Sequence, residues 1–574
     1  GRAEVFIVSQ MDAWSWIGEY LKAKGVEYVF GLPSDDLVSL FAFENAGIEF
    51  IVSSDQRHSA YQAVASVQAK ISDIGVVVLG RGPAVTHAMT GILEAQAQRT
   101  PLLVLTSGVS SRERWRGYFQ ELDASLVISS LVKRSTVLTT LGELHDVLDA
   151  LLSEALCAPR GPVHLEIPEF LALGGSVERV IESSNVVPVR MLASRRESAP
   201  DISLKNGLRQ FVRRSRRPAV LLGGGSKRAS NLGALQSWCE SWGVPLLVSA
   251  SGRGAVNEDS SVYLGLAGLY MEPGVREWLG RIDVLLCLGS RLEETVRDGL
   301  ESSGTHVIQV IDSILDAGGL ERAEVVVADV DMAIEFVCDE APGCVDDSWG
   351  NESRDVRRAA TEALDKHPSD LKRILRSISE CAPCDAISVH ENGLQDIWSY
   401  YPDVWRIPAE GDSLAPSEQT PLGYGASAAV GLARVQCSPV VAVVGDSAFR
   451  TLGSEWRCLS DLRSPLLFVV LDNGGMGWLQ ANLNLNGPCD WKRRELFCGD
   501  RVGLCDFAHS LGLDVFEGVW GESSCHTAVE LWKAVASAHQ RGRGVMARVV
   551  VDLLDAPPGF EYLSGHVVMR EEAV

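Results

Sequence analysis

The sequence predicts an α/β protein made of three doubly wound parallel-sheet domains. Two observations lead there. Short apolar, β-branched runs alternate along the chain with longer segments of helical periodicity, the pattern of parallel strands joined by crossover helices. At 574 residues the chain is also too long for a single hydrophobic core.

In the first block, strands are expected near 27–34, 48–54, 74–80, 101–108 and 161–169. A polar stretch, 176–205, then reads as a linker. The second block opens with a strand in 217–226 and continues with 244–251, 282–290 and 306–312, and the charged segment 351–370 suits an exposed helix. The third block offers 404–412, 438–446, 464–473 and 545–554. The domain boundaries expected from these runs are 11–175, 200–350 and 380–560.

Composition narrows the class. With 46% apolar and 22% charged residues the chain reads as an ordinary globular protein. A net charge of −23 argues against a nucleic-acid partner, which needs a clustered basic face. The densest basic run, Arg213-Arg214-Ser215-Arg216-Arg217, reads as a solvated helix end. No run of eighteen apolar residues suggests a membrane span, and no basic-then-apolar start suggests secretion. Thirteen cysteines lie scattered without a framework, so reduced thiols and a cytoplasmic location are expected. The single CxxC, Cys381 to Cys384, has no second pair for zinc and follows no strand, so neither metal nor redox chemistry is expected there.

The chemistry gathers at strand ends. Asp446 closes one expected strand and Asn473 the next, 27 residues on. The segment between them, 449–462, has helical periodicity, so a strand–helix–strand crossover would bring the two ends together. Both oxygens can then meet one hard cation; Mg²⁺ prefers six oxygens and commonly takes some from a phosphate. Two strand-end caps are the plainer alternative.

The order of these features resembles the thiamine-diphosphate-dependent superfamily of acetolactate synthases and 2-oxo-acid decarboxylases. Its Gly-Asp-Gly…Asn-Asn pattern is similar to Gly445-Asp446-Ser447 and Asp472-Asn473-Gly474-Gly475, with Ser447 and Asp472 as departures. PLGYGASAAVGLA (421–433), RGPAVTHAMTGILEAQAQRTPLLVLTSG (81–108) and YFQELDASLVISSLVKRS (118–135) extend the likeness, the last to the acetolactate-synthase branch. The resemblance implies a pyrimidine-binding, a middle and a diphosphate-binding domain. It implies Asp446, Asn473 and the Gly475 carbonyl as ligands of Mg²⁺ or Ca²⁺. Gly445, Ser447 and Ala448 would lie against the diphosphate, with Gly411 and Ser413 as further candidates there. The backbone at Thr420 and Leu422 would bind the aminopyrimidine, with the Leu422 side chain wedging the cofactor in its bent form. Phe119, Gln120 and Trp478 would face the substrate; Trp478 is equally well read as helix packing. Flavin is not expected at Gly223-Gly224-Gly225-Ser226, which lacks the GxGxxG pattern and suits a tight strand-end turn.

One position departs in its chemistry. Family members place a glutamate after the second strand, where it hydrogen-bonds the pyrimidine; without gaps, Gln56 falls there, whereas a register with several indels brings His58. An amide hydrogen-bonds but cannot relay a proton. Asp55 or His58 could act in its stead through a water; the plainer readings make Asp55 a helix cap and His58 a helix-surface residue. The activity implied is carboligation from a 2-oxo acid donor to an acceptor, in specialised metabolism. A simple 2-oxo-acid decarboxylase and a catalytically degenerate homologue serving as a binding or scaffold protein are the alternatives. The resemblance also implies a homodimer or homotetramer with the cofactor site between subunits.

Overall fold

The computed structural model describes residues 11–559 except 35–36, 175–188, 190–201, 302, 409, 456–458, 489–495, 500, 502 and 522. Among them, eighteen parallel strands form three six-stranded sheets. The first contains β1 (Tyr28–Leu32), β2 (Glu49–Val52), β3 (Gly75–Leu79), β4 (Leu102–Gly108), β5 (Ser135–Val137) and β6 (Pro162–Pro168), ordered β2-β1-β3-β4-β6-β5. The second contains β7 (Pro218–Leu222), β8 (Leu246–Val248), β9 (Tyr263–Leu266), β10 (Val284–Leu288), β11 (His306–Ile311) and β12 (Glu324–Val327), ordered β12-β11-β10-β7-β8-β9. The third contains β13 (Ile387–His390), β14 (Asp412–Leu414), β15 (Val440–Gly445), β16 (Leu466–Asp472), β17 (Asp514–Phe516) and β18 (Val545–Val550), ordered β14-β13-β15-β16-β18-β17.

Central strands such as β3, β6 and β16 are buried along their whole length, which is why they read as unbroken apolar runs. Helices cover them: Trp14, Trp16, Ile17 and Tyr20 of the helix Ala13–Ala23 join the core of the first sheet. By compactness the chain forms two units. One comprises residues 1–196 with 427–437 and 452–464, and the other 197–426, 438–451 and 465–574. No described helix is long and apolar enough to cross a membrane.

Two expectations are corrected. Residues 404–408 form no strand: the Arg253 guanidinium holds the Trp405 carbonyl at 2.6 Å, the Glu258 carboxylate takes the Ile407 N–H, and β14 begins only at Asp412. The helix expected over 449–462 is a five-residue α-helix, Asp446–Arg450, followed by a 3-10 turn, Thr451–Ser454, where Gly453 weakens helix propensity. The basic run ends the helix Ile202–Arg214 as expected, with Arg213, Arg214 and Arg216 exposed; at the surface Arg213 pairs with Glu340 and both Arg216 and Arg217 with Asp346. Most of the expected linker, 176–205, lies outside the described residues.

Candidate functional site

In the first unit, Asp55 accepts the Arg57 N–H at 2.8 Å and caps the helix Gln56–Gln68. This cap makes Gln56 the first helical residue, half-buried at the carboxyl end of β2. His58 does not lie on the helix surface: it is 0% exposed, because the cap sets the helix phase and turns position 58 into the protein. A residue the sequence reading missed braces this turn. Glu455, also fully buried, accepts the Ser54 N–H at 3.1 Å and faces Gln62 Nε2 at 3.5 Å.

Phe119 and Gln120 sit on an exposed loop, Phe119 with 66% of its surface open. Glu121 fastens that loop by accepting the N–H groups of Trp115, Gly117 and Tyr118, and these bonds hold its carboxyl below the usual range. Gln120 has φ 55°, and its carbonyl stands against Gly82, itself at φ 51°, where a Cβ would come within 2.8 Å of that oxygen.

In the second unit the ends of β15 and β16 carry the oxygen donors. Asp446 is 6% exposed, and burial raises its carboxyl above the usual range, opposed by the Ser447 N–H. Asn473 Oδ1 accepts the Gly475 N–H at 2.8 Å, while Nδ2 donates to Gln395 Oε1 at 2.7 Å, so the amide is fixed with an oxygen lone pair to spare. Gly475 bridges Cys498, but the bonds there are made by Met476 N and Gly499 N, which leaves the Gly475 carbonyl outside them. One carboxylate, one amide oxygen and one main-chain carbonyl make an all-oxygen donor set that suits Mg²⁺. Among the described residues no group of three His, Cys, Asp or Glu is placed to hold a metal; a cation held by this set would take its remaining oxygens from a ligand or from water. Ser447 and buried Ala448 lie in the first turn after Asp446.

The loop before the helix Tyr424–Val435 holds Thr420 at φ 40° and Gly423 at φ 86°, and between them Leu422 stands half exposed. A non-glycine residue in the left-handed region is costly and is found where surrounding structure holds it for a purpose. Trp478, by contrast, is half-buried and packs on the third core, so ordinary packing accounts for it; the exposed apolar side chains nearby are Met476 and Leu479.

Gly411 and Ser413 are poorly placed to bind phosphate through their amides. Gly411 N–H bonds the Pro408 carbonyl, and Ser413 N–H bonds the Asp412 side chain. Asp412 itself pairs with Lys227, which removes the repulsion a free carboxylate would exert. The departure at Asp472 is likewise balanced: this buried carboxylate receives Arg548 Nε at 2.7 Å.

Sequence reasoning also missed Asp396, 3% exposed beside the Gly445 N–H. Burial pushes its carboxyl up to about 7, the Gly445 N–H opposing and Asp446 adding to the rise; among the described residues its Oδ1 has no hydrogen-bond partner. Glu391 is pushed up to about 8, by burial and then by Asp396, although Gly425 N–H donates to it at 2.9 Å. No motif marks these two. Their significance is tertiary.

Residues 11–127 match the thiamine pyrophosphate enzyme N-terminal TPP-binding domain, 206–335 the central domain, and 401–546 the C-terminal TPP-binding domain. The large subunit of acetolactate synthase isozyme 2 from Escherichia coli is 24% identical over 478 residues, covering 82% of this chain and 84% of the relative. The acetolactate synthase large subunit from Lactococcus lactis is 23% identical, covering 80% of each chain, and 2-hydroxyacyl-CoA lyase 1 from Dictyostelium discoideum is 22% identical, covering 81% and 85%. The chain belongs to the thiamine-diphosphate-dependent enzymes and is of the acetolactate-synthase type.

Proposed function

We propose that the chain is a Mg²⁺- and thiamine-diphosphate-dependent carboligase that decarboxylates a 2-oxo acid and joins the remaining fragment to an acceptor. The observation that carries this reading is the set of oxygens at the ends of β15 and β16, Asp446, Asn473 and the Gly475 carbonyl. Asp446, Asn473 and Gly475 would hold the cation, for which Ca²⁺ could substitute, and Ser447 and Ala448 would lie against the diphosphate. Leu422 would meet the bent cofactor, and the loop of Phe119 and Gln120 would meet substrate. Bound thiamine diphosphate supplies a carbanionic carbon and an electron sink. Gln56 would give its pyrimidine a hydrogen bond but not a proton relay, and it is the relay whose help is typically worth ~10²–10⁴-fold in rate. The resemblance supports a homodimer or homotetramer with the cofactor shared between subunits.

A second reading, a degenerate homologue acting as a scaffold, draws on Gln56 and on the Asp396 carboxylate, which stands beside the Gly445 amide where phosphate is expected. Titrating the full chain with thiamine diphosphate and MgCl₂ while following thermal stability separates the two. Ligand at 100 times its Kd adds about 2.7 kcal/mol. That gain is expected in the wild type and should vanish in Asp446→Ala; a wild type without it is the scaffold. Screening 2-oxo acids for CO₂ release with and without aldehyde or ketone acceptors then distinguishes ligase from decarboxylase.

A further inference from the structure

The helix Gln56–Gln68 packs closely on the helix Pro83–Ala97. At Gly91 a Cβ would overlap that of Ala60, so only glycine permits the approach. The contact brings the start of one helix to the second turn of the other, where His87 Nδ1 lies 3.3 Å from Gln56 Oε1. His87 is exposed and Gln56 half-buried. The groups on which the sequence would lean to compensate for a missing acid are engaged elsewhere. Asp55 caps the helix and pairs with Arg57, and His58 is enclosed.

A carboxylate has two equivalent oxygens, but an amide has two different ends. Which end of Gln56 is presented to a ligand therefore matters, and it is decided by whatever holds the other end. We propose that His87 is a positioning residue for Gln56: its Nδ1–H donates to Oε1 and so turns the amide NH₂ away from the imidazole, towards the acceptor nitrogen of an aminopyrimidine ring. The inference rests on the reading of Gln56 given under Proposed function. No bond is made or broken and no proton changes owner. The pair converts a residue that cannot act as an acid into a donor of defined orientation.

The test has two parts. In the cofactor-free protein, nitrogen-15 shifts of the His87 ring should report a protonated Nδ1, and this signature should weaken in Gln56→Ala; an unprotonated Nδ1 in the wild type overturns the proposal whether or not any cofactor binds. With thiamine diphosphate and MgCl₂, affinity by calorimetry and deuterium exchange at C2 of bound cofactor are compared in wild type, His87→Ala, His87→Asn, Gln56→Glu and Gln56→Glu/His87→Ala. His87→Ala should weaken binding by about fivefold, the worth of one neutral hydrogen bond, and slow exchange, and His87→Asn, which keeps a donor, should recover most of both. In the Gln56→Glu background the alanine change should have almost no effect, because a carboxylate needs no orienting. Equal losses in both backgrounds would assign His87 a merely structural role and overturn the proposal. Absence of cofactor binding in every protein would defeat the reading of the site, leaving the ring shifts to decide the pair.

Discussion

Strand order reverses between β7 and β10 in the second sheet and between β13 and β15 in the third. Open parallel sheets gather ligands at such places, yet the two crevices are built differently. In the second sheet the main chain fills the space. Gly223 N–H bonds the Leu288 carbonyl and Gly225 N–H the Gly289 carbonyl, while a Cβ at Gly223 would overlap the Gly289 oxygen. In the third sheet the same place is bordered by three buried carboxylates, Glu391, Asp396 and Asp446, one with an oxygen lacking any hydrogen bond among the described residues. Topology supplies both crevices. What distinguishes a site is buried polar groups that are costly until something binds.

The comparison can be broken or sharpened by substitution. The largest effect is expected at Arg548→Met. It would leave the buried Asp472 carboxylate with only Arg501, whose Nε is 4.0 Å away, and should cost about 3 kcal/mol in urea unfolding. A loss near zero would show that the polar border of the third sheet is not held by paired charge. Next, Gly223→Ala should cost about 2 kcal/mol by overpacking, equally with and without thiamine diphosphate and MgCl₂. A cost confined to cofactor affinity would make the second crevice a binding site and erase the distinction. The smallest effect is expected at Glu391. Its folded-state carboxyl binds a proton more tightly than the unfolded chain does, so its contribution is best below the ordinary carboxylate range and declines as pH rises towards about 8. Glu391→Gln keeps an acceptor for Gly425 N–H and should flatten that decline by on the order of 1 kcal/mol between pH 5 and 7, measured as unfolding midpoints of the cofactor-free protein.

Much of this fold was legible because its central strands are buried on both faces and so appear as continuous apolar runs, as VVAVVG and LLFVVLD do. The strands not anticipated, β5, β9, β12, β13 and β17, are short; four lie at a sheet edge and β13 next to one, and in β5, β12 and β17 burial is incomplete, so the pattern dissolves. The mistaken strand at 404–408 depended on Arg253, about 150 residues earlier in sequence, a partner that local periodicity cannot report. At the candidate site, Asp446 and Asn473 stood out by spacing. Asp396, His87 and Glu455 did not, because each matters only through a neighbour brought there by packing.

The pairing of Asp472 with Arg548 bears on how such a chain can change. Converting Asp472 alone to asparagine would leave Arg548 reaching only towards Glu517 on the outer side, and converting Arg548 alone strands a negative charge inside. The two positions are therefore free to drift together but not singly. Anyone redesigning this strand tip must exchange both at once.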